Sequence, residues 1–290
     1  MMKKLPVLTI FILFVIILLI VYFPTKQKHL YGWLNSLPKP WILNTKDISK
    51  ILPQFHYRFP DFHERLKAFA IWRVGTPYEI FKLGEEVEPD LDPIIRLDLS
   101  DCTAHVLTTL AFVQSSSWEE SRKNMIVIHY KPNLYGHKIP TFKTRWHYTL
   151  DRITANPYTV NITEQLLPLE KLVEKKLILN RQEDESEFLN LGWEREITFR
   201  YIPNSEINNN LLSKIPDVCG VAFVKKAYFN KGIAIGHEGM IINQKDLIHA
   251  SSTVGKTVRL NFLDYYFRDS SPIFNGIMIY NYFPISASTP

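Results

Sequence analysis

Two cysteines in 290 residues, Cys102 and Cys219, are too few for a disulfide scaffold and do not form a CxxC zinc pair. Glycine is scarce beside proline, eleven against eighteen, which excludes a flexible low-complexity chain and favours long fixed connections. No internal repeat is present. The net charge of +5 comes from scattered Lys and Arg, not from a basic stretch with interleaved aromatics, so no nucleic-acid footprint is seen. His237-Glu238-Gly239-Met240 lacks the second histidine of HExxH, and there is no G-x-S-x-G elbow, which leaves metal-dependent and serine hydrolysis without a motif. No metal site and no cofactor are expected. What remains is ordinary globular composition, 46% hydrophobic and 22% charged, enough for one catalytic-sized domain beside a terminal appendage.

Leu5 to Phe23 is uncharged and rich in Ile, Leu, Val and Phe. As a helix it would span roughly 28 Å, close to a bilayer core. The run ends at Val21-Tyr22-Phe23-Pro24 without small residues of a cleavage site and without a cysteine to accept lipid, so an uncleaved N-terminal transmembrane helix is expected over residues 1–30. Lys3 and Lys4 before the run are matched by Lys26 and Lys28 after it, so orientation rests on the signal-like position, which puts the body outside the cytoplasm.

Residues 31–60, with Trp33, Pro38, Pro40, Trp41 and Pro53, read as an ordered arm with one short helix around Asp47 to Leu52. Residues 61–290 read as the catalytic domain. Asp61 to Trp72 has helical spacing, and Ser100 or Asp101 can cap an apolar helix from Cys102 to Val113. A helical piece over Ser121 to Met125 is expected to pass into an extended Met125 to Tyr130. From Val218 onward, β-like runs at Cys219–Val224, Gly232–Ile242, Asp246–Ala250, Thr257–Phe262 and Gly276–Phe283 suggest an antiparallel meander. The expected class is α+β, with the cysteine helix packed on that meander.

Cys102 opens its helix, where unpaired N–H groups and the helix dipole favour a thiolate. Cys219, among Val218, Gly220 and Val221, reads as buried strand packing, so two free thiols are expected. Of nine histidines, His29, His56, His63, His105, His129 and His137 have no pattern beyond themselves, whereas His237 and His249 fall on consecutive strands. A three-residue turn centred on Gln244 would set His249 as the same-face diagonal neighbour of His237; one residue more would put them on opposite faces. Nucleophile, base and orienter would then be Cys102, His237 and His249. The same spacing also suits a packed helix cysteine and two half-buried strand histidines.

Gly75-Thr76-Pro77-Tyr78, Leu83-Gly84, Asp101-Cys102-Thr103, Arg145-Trp146-His147-Tyr148, Gly236-His237-Glu238-Gly239 and His249-Ala250-Ser251-Ser252 occur in the order seen in the DUF1460, or AmiA-like, family. The chain resembles that family over roughly Phe59 to Tyr282, and through it the papain-like NlpC/P60 cysteine hydrolases. The resemblance implies N-acetylmuramoyl-L-alanine amidase activity on peptidoglycan or muropeptides. Cys102 would be the nucleophile, His237 the base and His249 the third member. It further implies Tyr78 beside the nucleophile, helping to hold an oxyanion, and Asp101, Arg145 and His147 at the substrate cleft, where a guanidinium suits a carboxylate. The chain departs from the family where Ala104-His105-Val106-Leu107 stands in place of Thr-Phe-Val-Glu, removing a helix glutamate, and where Cys219-Gly220-Val221 replaces an opening Gly-Asp. A stem-peptide endopeptidase and a non-catalytic wall-binding protein are the alternatives.

Overall fold

The computed structural model describes residues 31–285. The expected membrane segment, residues 5–23, lies outside the described residues. Among those described, no helix is long and apolar enough to cross a membrane. The chain divides at Lys39/Pro40 into two compact units. In the first, residues 31–36 are helical; everything below concerns the second.

Helix α1 (Thr45–Arg58) is capped by Asn44, whose side chain accepts the Asp47 N–H, and runs through Pro53. It is far longer than the expected turn around Asp47 to Leu52. Ile48, Ile51, Leu52 and Phe55 share its buried face, and the Phe55 ring packs at 5.1 Å from Phe69 and 5.4 Å from Trp72. That burial outweighs the one hydrogen bond a proline removes. Helix α2 (Phe62–Trp72), capped by Asp61, supplies those partners.

Helix α3 (Cys102–Phe112) begins at the cysteine. Helix α4 (Trp118–His129), capped by Ser117, continues to His129, where an extended segment was expected from Met125. Met125, Ile128 and His129 lie at helical spacing and are all buried, so the apolar Met-Ile-Val-Ile run is a helix face and not a strand. Helix α5 (Thr149–Ala155) completes the larger helical layer.

Six strands, β1 (Thr159–Asn161), β4 (Val218–Val224), β5 (Ile235–Ile242), β6 (Asp246–Ser251), β7 (Lys256–Asn261) and β10 (Gly276–Tyr282), form one antiparallel sheet in the order β1-β10-β4-β5-β6-β7. The meander expectation holds for β4 to β7; the last strand crosses back to pair with β4. A separate hairpin, β2 (Val173–Leu179) with β3 (Arg195–Tyr201), was not anticipated, because its charge-rich alternation, Glu174-Lys175-Lys176 against Arg195-Glu196, hides the strand period. Short helices α6 (Thr163–Leu166), α7 (Asn209–Leu212) and α8 (Phe262–Tyr266) and the two-residue strands β8 (Phe267–Arg268) and β9 (Ser271–Pro272) complete the unit.

Alternation along the strands gives the sheet two covered faces. Cys219, Val221, Phe223, Ile241, Leu247, Ile277 and Ile279 pack into a core with Leu211, Leu212, Phe262 and Tyr266 from α7 and α8. The opposite face, carrying Gly220, Glu238 and Tyr280, meets α3 and α5. Cys219 is fully buried and both cysteines are free thiols.

Candidate active site

The β5–β6 turn is the three-residue Asn243-Gln244-Lys245, with Ile242 paired to Asp246 and with Asn243 and Gln244 at positive φ. This register gives His237 and His249 the same facing. Nε2 of His237 stands 2.8 Å from Nδ1 of His249, with the rings nearly perpendicular at 82°. Both rings lie among aromatics of the core shared with α7 and α8: Phe223 stacks on His237 with centroids 5.4 Å apart, Phe274 lies parallel to it, and Tyr265 is 4.6 Å from His249.

Strand pairing between β5 and β6 ends at Met240–Ile248, so residues 235–239 are bonded to β4 alone. The backbone N–H of Glu238 is near enough to the Cys102 thiol to favour its ionised form. Cys102 and His237 line the same cleft of about 580 Å³, together with Phe81, Arg145, His147 and Lys231.

Asp101 fixes the start of α3. One carboxylate oxygen accepts the Ala104 N–H at 2.7 Å and the other accepts the Phe81 N–H at 2.9 Å. The carboxyl is buried, and burial holds its pKa above the ordinary value. Tyr78 is brought alongside by the Gly75-Thr76-Pro77-Tyr78 segment, which adds to the edge of β7: Gly75 N–H donates to Thr257 O, and Tyr78 N–H to Gly255 O. Gly75 has φ +103°, and a Cβ there would stand 2.7 Å from the Trp41 ring. The pKa of the Tyr78 hydroxyl is raised by burial and then by the charges that Cys102 and Asp101 can carry, with Ser252 opposing them.

Arg145 lines the cleft, but its donors are already engaged. Nε and Nη2 pair with Glu85 at 2.6 and 2.7 Å, Nη2 also with Asp90 at 2.7 Å, and Nη1 donates to Leu83 O. It organises the acidic loop of the cleft wall. The His147 ring packs on Phe142 at 4.6 Å, its Nε2 is 2.5 Å from Phe142 O, and burial lowers its pKa to about 4.

The electrostatics differ from the expectation of a ready thiolate. Burial, then Asp101, then Glu238 push the Cys102 thiol up to about 12, against the helix-start effect. Burial also lowers His237 to about 4 and His249, which has His237 as a second charge beside it, to about 3. These directions favour the neutral thiol and the neutral imidazoles.

Glu238 was not singled out from sequence, although it adjoins His237. It is completely buried on the helix-facing side, where it accepts hydrogen bonds from Thr103 at 2.8 Å, Thr149 at 3.0 Å and Tyr280 at 2.7 Å and pairs with Arg152 at 2.5 Å. The adjacency of Thr103 to Cys102 and of Glu238 to His237 was the available signal. The aromatics Tyr265 and Phe274, far from any motif, carried none.

Residues 69–272 match the AmiA-like family, described as N-acetylmuramoyl-L-alanine amidase-like. No curated protein matches the chain. Among solved structures, a Legionella pneumophila protein of the DUF1460 family aligns with a TM-score of 0.65 and 22% identity, over 83% of this chain and 97% of that one. A Bacteroides uniformis N-acetylmuramoyl-L-alanine amidase aligns at TM-score 0.55 and 20% identity, over 75% and 98% of the two chains. A further structure of a B. uniformis N-acetylmuramoyl-L-alanine amidase gives 0.57 and 19%, over 76% and 98%. At these identities the structures speak for the fold, and the family match spans most of the sequence. This chain belongs to the AmiA-like family.

Proposed function

We propose that this protein is a cysteine-dependent amidase of peptidoglycan, cleaving the amide between the lactyl group of N-acetylmuramic acid and L-alanine. The observation that carries the reading is that His237, hydrogen-bonded to the buried His249, lines the same cleft as Cys102. With Nε2 of His237 engaged by His249, Nδ1 is the nitrogen left to take a proton from sulfur. Neutral His237 then carries its hydrogen on Nε2 and donates it to Nδ1 of His249, which fixes the ring and stabilises the imidazolium when it forms.

Because the thiol rests protonated, attack and proton transfer go together: Sγ bonds to the amide carbon as its proton passes to His237. The C–N bond breaks as His237 returns that proton to the leaving amine of alanine. Water then attacks the thioester with His237 as base, releasing the lactyl carboxylate and restoring the thiol. The role of donor to the oxyanion is assigned to Tyr78, whose pKa the charge of Cys102 raises. Arg145 and His147 shape the cleft wall. The uncharged run from Leu5 to Phe23 supports an anchored protein working on the outer side of a bacterial membrane.

Incubating the full chain with purified muropeptides and identifying products by mass spectrometry tests the reading. Intact free stem peptide, absent with Cys102→Ala, is expected. A shortened stem peptide would replace the amidase by an endopeptidase, and no product at any pH would defeat the enzyme reading.

A further inference from the structure

Phe81 stands out among the residues at the cleft. Its backbone has φ 57°, a left-handed conformation that bulky side chains avoid, and its side chain is 78% exposed. Neither feature is explained by packing within the protein. The conformation is held by the hydrogen bond from Phe81 N–H to the buried Asp101, whose other oxygen caps the nucleophile helix. The ring is thus tied, through one carboxylate, to the residue preceding Cys102. Ile80, 50% exposed, lines the cleft beside it. Strain retained next to a reactive group, with an apolar ring offered to solvent, is what a ligand clamp requires.

The surroundings restrict what the ring can hold. Residues 79–92 carry six acids against one lysine. The arginines that meet this segment are already paired: Arg145 with Glu85 and Asp90, Arg122 with Glu86, and Arg96 with Asp98 and more loosely with Asp92. Lys82 is paired with Glu79. A carboxylate finds no free cation here, whereas an uncharged ring with an apolar C–H face is not repelled. Lys231, from another part of the chain, lines the same cleft beside the Tyr228 ring, and so offers an anionic group a separate place.

We infer that Phe81 is a specificity-determining residue whose ring stacks on the pyranose of the muramoyl group, on the acyl side of the bond cleaved. The inference rests on the amidase reading above and assigns the sugar end of that substrate. It places the neutral saccharide at the acidic rim and leaves the carboxylate-bearing stem peptide to the rest of the cleft.

The test compares N-acetylmuramoyl-L-alanyl-D-isoglutamine with D-lactoyl-L-alanyl-D-isoglutamine, which keeps the scissile amide and lacks the sugar. The full-length enzyme should prefer the first, and Phe81→Ala should reduce that preference about tenfold through KM, as expected for one lost aromatic contact. Phe81→Trp should retain it. Phe81→Gly, which relieves the backbone while removing the ring, should lose the preference as Ala does, separating stacking from strain. A ratio of kcat/KM unchanged in Phe81→Ala, whether both rates fall together or neither does, overturns the inference. Failure of the wild-type enzyme to cleave either compound would instead sink the amidase reading itself.

Discussion

Replacing Glu238 by alanine should lower the stability of the protein and at the same time make the Cys102 thiol easier to ionise. The Arg152 guanidinium has no exposed surface, and Glu238 is the carboxylate that pairs with it. Removing one partner of such a pair leaves a buried charge uncompensated, at a cost of about 3–5 kcal/mol. For a domain of this size that corresponds to a fall in Tm of roughly 6–20 °C. Thr103, Thr149 and Tyr280 lose their acceptor in the same step. The Cys102 thiol, however, is held up partly by the charge of Glu238, so its pKa should move down even though the fold is weaker. Differential scanning calorimetry gives the first quantity, and the pH dependence of iodoacetamide alkylation at Cys102 the second, with Cys219 protected by its burial. A double variant, Glu238→Leu with Arg152→Leu, should recover much of the Tm while keeping the lowered thiol pKa. Alkylation that shifts upward in pH, or a Glu238→Ala protein as stable as the wild type, would refute the account of this network.

Cys102→Ala should abolish hydrolysis while leaving muropeptide binding measurable by calorimetry, since the cleft wall is built from other residues. His237 must be neutral to act as base and burial places its pKa at about 4, so kcat/KM should fall on the acid side near pH 4 and not near 6.5. Stability follows the same group with the opposite emphasis: the unfolded chain gains a proton between about pH 6.5 and 4 that the folded His237 refuses, so stability declines as pH falls through that window, by up to about 3 kcal/mol. His237→Gln should flatten the pH dependence of Tm there. Arg145→Ala should lower Tm and raise KM by freeing the acidic loop, and Arg145→Lys should not rescue it, because one ammonium cannot serve Glu85, Asp90 and Leu83 O together.

The parts of the site carried by local chemistry were legible in the sequence. Ser100 or Asp101 before an apolar run signalled the cap and start of α3, and of the two turn lengths the sequence left open, the three-residue one between Ile242 and Asp246 is adopted and puts His249 beside His237. The limits were non-local. Nothing near Gly276 indicates that its strand returns to pair with β4, since an antiparallel run does not specify its neighbour. The extent of α1 through Pro53 depends on Phe55 finding Phe69 and Trp72. Arg145, chosen as a carboxylate binder, has acidic partners sixty and fifty-five positions earlier in the chain, a meeting that spacing cannot reveal. Likewise the rise of the Cys102 pKa comes from enclosure, which a helix start seen alone does not contain.

Gly220 pairs directly with Tyr280, and a Cβ on it would stand 2.1 Å from the tyrosine ring. The ring lies across that bare backbone, and its hydroxyl reaches Glu238 on the next strand. A position without a side chain and absent from the cleft lining thus sets the reach of a tether that ends on Glu238, which also holds Thr103 next to Cys102. Transplanting Cys102, His237 and His249 into another frame would leave this behind. Anyone grafting or redesigning the centre has to carry over the missing methyl group as deliberately as the thiol.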